Sequence, residues 1–208
     1  MRVIVVGATG TIGSAVVTAL AARHDVVKVG HKGGAFRVDL ASPDSITQLF
    51  RAIGAFDALV STAGVAKFAG LDELKDEDYQ VGLSNKLMGQ VNLVRIGRQF
   101  INDRGSFTLT SGVLSQEPMK GSASISMVNA GIEGFVRAAA LELPRGIRVN
   151  VVSPPWVTET LIALKMDPSL GMPATTVAQA YLASVEGAAT GKTIDPRKLA
   201  ANSRLSGE

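Results

Sequence analysis

A three-layer, doubly wound α/β fold around a seven-stranded parallel sheet is the fold class predicted for this chain, and three observations carry it. Short β-branched runs alternate with longer helical patterns along all but the last residues, the rhythm of strands joined by helical crossovers. The runs are apolar on both faces, as strands covered by helices on each side must be. A glycine-rich turn joins the first run directly to the first helical pattern, the place where such a sheet receives a ligand.

The elements are expected in this order. Strands fit Arg2–Val6, Asp25–Val29, Ala35–Val38, Asp57–Ser61, Ser106–Thr110, Ile147–Val152 and Lys192–Asp195. Helices fit Thr11–Arg23, Pro43–Ile53, Asn85–Asn102, Ser122–Leu143 and Thr175–Gly187. Ser42 stands where an N-cap hydroxyl accepts from the first turn, and Pro43 at the first helical position, where its missing N–H costs nothing. Residues Thr158–Pro173, rich in Met and Pro, join the sixth strand to the last helix and read as a mobile lid. One domain is expected over residues 1–195, because 46% hydrophobic content supports one large core. The tail, residues 196–208, has lost apolar periodicity and is expected to lack regular structure.

Composition removes several function classes. The 21 basic and 18 acidic residues leave +3, and Lys28, Lys32, Lys67 and Lys120 stand apart among apolar or small neighbours, so no nucleic-acid footprint forms. Without cysteine there is no disulfide and no thiolate, and His24 and His31 alone hold no zinc; no metal site is expected. Val3-Ile4-Val5-Val6 is too short for a signal segment, and no apolar run is long enough to span a bilayer. A cytoplasmic protein without membrane contact is the expectation.

The first turn reads Gly7-Ala8-Thr9-Gly10-Thr11-Ile12-Gly13 and opens a helix. Glycines let the backbone approach a pyrophosphate, and the free amides at the positive end of the following helix hold its charge. This strand–turn–helix context is of the Rossmann type and predicts a bound nicotinamide dinucleotide. The second strand ends Val29-Gly30-His31-Lys32, without the carboxylate that would accept from a ribose 2′-hydroxyl and with two potential cations. NADP(H) is therefore expected over NAD(H).

Several later motifs occur in the order seen in the short-chain dehydrogenase/reductase family, which the chain resembles over residues 2–195. Val38-Asp39-Leu40 resembles the family's aspartate beside the adenine, and Ser61-Thr62-Ala63-Gly64 its Asn-Asn-Ala-Gly strand end. Leu141-Glu142-Leu143 followed by Ile147-Arg148-Val149-Asn150-Val151-Val152-Ser153-Pro154 is the most specific match. The resemblance implies that Pro154 turns back over the nicotinamide, that Thr158 meets its carboxamide, and that Asp39, Leu40, Ser61, Ala63 and Gly64 contact the cofactor.

The resemblance also exposes an absence. Counting back from Glu133-Gly134-Phe135 puts Ile125 at the family's tyrosine, Asn129 at its lysine and Gly112 at its serine, with Ser111 one position early. The family's asparagine falls on Lys86, or on Asn85 if the register slips by one. No Tyr-x-x-x-Lys occurs anywhere, since Tyr79 and Tyr181 are followed four residues on by Leu83 and Val185. Without a tyrosine of lowered pKa the usual proton transfer has no donor. Asn129 retains the ability to hydrogen-bond a ribose hydroxyl.

Two functions are compatible with these residues. One is a cofactor-binding protein with little or no ordinary carbonyl reductase activity, a redox sensor or partner subunit. The other is an unconventional oxidoreductase acting on a small carbonyl or alcohol, in which Lys86, desolvated beside the cofactor, supplies the proton, with Ser111 and Asn129 the other candidate catalytic residues. Lys86 also fits a plain role, bonding backbone carbonyls from a helix face. Small residues along the 122–143 helix, Ala130, Gly131, Gly134 and Ala138 among them, predict a homodimer or homotetramer through close helix contact.

Overall fold

The computed structural model describes residues 1–205. Seven strands, β1 (Arg2–Val6), β2 (Asp25–Gly30), β3 (Phe36–Arg37), β4 (Phe56–Ser61), β5 (Ile101–Thr110), β6 (Arg148–Val152) and β7 (Thr193–Ile194), form one sheet in the order β3-β2-β1-β4-β5-β6-β7. Every pairing is parallel. The chain builds outward from β1 to one edge, returns, and builds outward from β4 to the other. The crevice between β1 and β4 is thus the point where winding reverses, where sheets of this kind bind ligands.

The two sheet faces bury separate cores. Helices α1 (Thr11–Ala21) and α7 (Ala174–Glu186) cover one face, packing Val16, Leu20, Val177 and Tyr181 on Val3, Val5 and Val60. Helices α2 (Pro43–Ile53), α4 (Met88–Gly97) and α5 (Ala123–Glu142) cover the other with Phe50, Leu93, Ile132 and Val136. Phe50 stacks on Phe56 at 5.5 Å. Ser42 caps α2 as expected, its hydroxyl accepting from Ser45 N at 3.1 Å. No described helix is long and apolar enough to cross a membrane.

The structure departs from the sequence expectation at several elements. Helix α3 (Asp76–Val81), which was not expected, precedes a π-helical turn (Gly82–Leu87), and the expected Asn85–Asn102 helix is the second half of that turn followed by α4. Its predicted end, Ile101 and Asn102, already belongs to β5, because Ile101 buries in the same core a helix would use and apolar spacing alone does not separate the two. The register of β4 against β5 shifts between Phe56 and Ala58. The Arg145 guanidinium holds this irregular start by donating to Ile101 O, Arg98 O and Asp103 Oδ1.

Residues 158–173 carry α6 (Thr158–Ala163), a 3₁₀ turn (Pro168–Leu170) and a parallel bridge between Val157 and Met172. The tail expected to lack structure is helical over Pro196–Leu205, α8, with Leu199 against the α1/α7 core. One apolar anchor is too little to register as periodicity. The expectation for residues 206–208 lies outside the described residues.

Candidate functional site

The turn after β1 is shaped by exclusion. Gly7 has φ +86°, and a Cβ on it would stand 2.8 Å from Thr62 Oγ1. A Cβ on Gly13 would stand 1.9 Å from Gly7 O, so that position accepts only glycine without moving backbone. Thr62 ties the turn to β4 by donating its hydroxyl to Val6 O at 3.1 Å. Gly10 caps α1 without a side-chain bond, and the first turn contains no acidic residue. The first amides of α1 have no intrahelical acceptor and carry the positive end of the helix dipole at this turn.

A cleft of about 430 Å³ opens there. Gly7, Thr9, Gly10, His31, Leu40, Ala63 and Gly64, all among the expected cofactor contacts, line it together. The other expected contacts stand outside its lining. Gly13 is buried behind the turn, Ile12 packs into the α1/α7 core, and Thr11 faces a separate cleft between α1 and α7. Ser61 is fully buried, and Asp39 spends its carboxylate on Ala41 N at 2.9 Å. Lys32 is exposed at the rim, on the loop that leaves His31.

Val38, Thr62, Val65 and Asn85 line the cleft and were not singled out as cofactor contacts. Asn85 Oδ1 accepts from Val65 N at 3.0 Å, which closes the far wall. Its only sequence signal was the one-residue ambiguity of the asparagine register. The π-helical turn that presents Asn85 and Lys86 left no sequence signal, although such turns gather at functional sites.

Beyond the cleft, at the ends of β5 and β6, lie the residues assigned to chemistry. Lys86 lies against Gly64, where a Cβ would stand 2.6 Å from Lys86 Cγ. Its Nζ donates to Ser111 O at 3.2 Å. Burial lowers its pKa to about 8, because a low-dielectric site penalises the charged form. Asn129, 1% exposed, donates Nδ2 to Gly112 O at 3.3 Å, while its Oδ1 is buried without a hydrogen-bond partner.

Ser111 is turned away from this group: its hydroxyl donates to Glu133 Oε1 at 2.9 Å. The buried Glu133 carboxylate also accepts from Ser115 Oγ at 2.7 Å and Gln116 Nε2 at 3.3 Å, fixing the turn after β5 on α5. Pro154 O accepts from Val113 N at 3.1 Å, so the segment after β6 folds back toward β5. Thr158 starts α6, its N–H donating to Met172 O at 3.0 Å. Ile125 is half-buried. Tyr181 is fully buried under the opposite sheet face, bonded to Thr110 Oγ1 at 2.7 Å, and burial raises its pKa; it takes no part in the crevice.

A glycine turn at a helix N-terminus, a cleft at the reversal point of a parallel sheet and the segments converging beyond it define a protein of the Rossmann-type fold. Comparison with known proteins agrees. A family model described as Enoyl-(Acyl carrier protein) reductase matches residues 2–190, and the chain belongs to the short-chain dehydrogenase/reductase family. It is 30% identical over 192 residues to the 3-oxoacyl-(acyl-carrier-protein) reductase FabG of Escherichia coli (strain K12), covering 81% of this chain and 79% of that protein. Among solved structures, protein lin1944 of Listeria innocua has a TM-score of 0.91 and 41% identity, covering 94% of this chain and 98% of that one. A small-chain dehydrogenase in complex with NADPH has a TM-score of 0.83 and 27% identity, covering 94% and 95%.

Proposed function

We propose that the chain is an NADP(H)-binding member of its family with little ordinary carbonyl reductase activity, working as a redox-state sensor or as the cofactor-binding partner of another subunit. The carrying observation is the contrast between the two halves of the site. The phosphate turn and cleft are complete, whereas Ile125, Asn129 and Gly112 stand at the positions the resemblance assigns to proton transfer. Binding of a nicotinamide dinucleotide is supported by the NADPH complex of a similar structure.

Preference for the phosphorylated cofactor is supported by the rim of the cleft. His31 lines it, Lys32 follows, and β3 pairs Arg37 with Gly30, adding an exposed cation beside them. Asp39 is the next carboxylate along the chain, and it is engaged with Ala41 N. When bound, the cofactor would supply the hydride-transfer chemistry. Gly7, Thr9, Gly10 and the α1 amides would hold its phosphates, Leu40 and Ala63 its apolar surface, and Asn129 Oδ1, which needs a donor, a hydroxyl.

A second reading is favoured by one observation: Lys86, with its pKa lowered to about 8, is suited to give up a proton near neutral pH. A turnover assay with NADPH and a carbonyl panel separates the two. The first reading expects rates about 10² to 10⁴ below those of a tyrosine-bearing relative, unchanged by Lys86→Met. Robust turnover abolished by Lys86→Met, with cofactor affinity retained and the rate falling as pH rises through about 8, would replace it with the second.

A further inference from the structure

The segments that leave β4, β5 and β6 meet over the crevice, and their meeting point is aromatic. Phe68, after β4, packs edge-on against Trp156, after β6, with ring centroids 6.3 Å apart and planes at 66°. Phe68 also covers Gly121, after β5, where a Cβ would stand 2.9 Å from its ring, and Ala69 N donates to Gly121 O at 3.0 Å. Trp156 is held from behind, its carbonyl accepting from Met172 N at 2.8 Å beside the Val157–Met172 bridge.

Chain connectivity keeps both rings near the ends of β4 and β5. Phe68 is four residues from Gly64, which lies against Lys86, a reach of at most about 14 Å of extended chain. Trp156 is two residues from Pro154, whose carbonyl lies 3.8 Å from where a Cβ on Gly112 would be. The surroundings are apolar and open: Phe68 is 44% exposed, Val65 58%, Leu71 71% and Met119 47%. Leu164 and Met166 of the 158–173 segment are exposed as well. Of the nearby charges, Lys67 pairs with Asp78 at 3.3 Å and Glu73 accepts from Gly70 N at 3.1 Å, while Asp72 and Lys120 stand beside Leu71 and Met119.

We propose that this crevice takes a molecule whose bulk is an apolar ring system and whose one polar end is a carbonyl or hydroxyl, gripped between Phe68 and Trp156. The inference rests on the cofactor-site reading above and adds the class of substrate or effector. Large apolar side chains grouped at a ligand-binding end of the sheet mark a recognition surface, whereas scattered ones carry no such meaning. An edge-on aromatic pair favours closure only a fewfold to about tenfold, so a ring-bearing ligand replaces that contact readily.

The chain has one tryptophan, Trp156, so its emission reports occupancy of this place. Protein saturated with NADP⁺ is titrated with decalone, an apolar bicyclic ketone that absorbs little in the tryptophan range, and separately with pyruvate and dihydroxyacetone. Affinity is read by calorimetry and location by emission. Decalone is expected to bind at least about tenfold more tightly than either polar carbonyl and to shift the emission. Phe68→Ala and Trp156→Leu should each weaken it roughly tenfold, with NADP⁺ affinity unchanged and Phe68→Leu intermediate.

Equal or tighter binding of pyruvate or dihydroxyacetone, failure of decalone to bind, or undiminished binding in both Phe68→Leu and Trp156→Leu would overturn the proposal. Failure of NADP⁺ to bind would overturn the cofactor reading instead. Decalone titrated into the cofactor-free chain, with the same variants, then judges the aromatic crevice separately.

Discussion

Gly112 and Asn129 constrain one another. A Cβ at residue 112 would stand 3.0 Å from Asn129 Nδ2, the group that donates to Gly112 O. Gly112→Ser alone should therefore destabilise the fold by about 1–3 kcal/mol, as overpacking does. Gly112→Ser combined with Asn129→Ala should cost clearly less than the sum of the two changes, because neighbours in contact are not additive. Denaturant unfolding of the single and double variants checks this, and additive costs would refute the coupling. Lys86 gives a second residue-scale expectation. Its folded pKa of about 8 lies below the ordinary value of 10.5, so between these values the unfolded chain binds more protons and stability rises with pH. Lys86→Met should remove that rise: the stability difference between wild type and variant should shift toward wild type from pH 8 to 10.5, and a difference independent of pH would contradict the burial of the ammonium. That no Tyr-x-x-x-Lys occurs was legible in the sequence, because a motif search needs no coordinates. The capture of Ser111 by Glu133 was not, since it joins groups 22 residues apart through packing alone.

At the scale of elements, the glycine turn carries the most information for its length. Its strand, spacing and helix were all readable, and the structure adds why Gly13 is required: the nearest backbone oxygen is 1.9 Å from a Cβ there. Gly13→Ala should lower the thermal midpoint and abolish cofactor binding together, because Gly7 O must move and the cradle opens. A variant with a lowered midpoint but intact affinity would show that the turn does not hold the phosphates. Helix and strand boundaries were legible where apolar period and capping agreed, as at Ser42 and Pro43, and failed where one core served both alternatives, as at Ile101. The π-helical turn over Gly82–Leu87 starts with Gly82 close against Val128 and Ala66, contacts that local propensity does not encode. Helix α8 is anchored by Leu199 and by Arg197, which pairs with Glu117 at 2.7 Å and Asp195 at 2.8 Å and holds the Glu117 carboxyl below the usual carboxylate range. Exposed pairs of this kind contribute little individually, consistent with a tail that reads as structureless from sequence.

At the scale of the molecule, the seven-stranded parallel sheet and its three layers were legible from the alternation of elements, while the strand order, with its reversal between β1 and β4, became visible only in the structure. Helices α4 and α5 leave Met88, Met127 and Leu141 exposed on their outer faces, Leu141 at 89%. Association of two or four copies through these helices is expected; light scattering should give a mass above the 21.6 kDa of one chain, and a monomer at micromolar concentration with and without cofactor would refute it. The most direct test of the cofactor site is a calorimetric titration of the wild type and Lys32→Glu with NADPH and NADH. NADPH should bind wild type more tightly than NADH, and Lys32→Glu should weaken NADPH alone; equal affinities, tighter NADH binding, or no binding of either cofactor would contradict it.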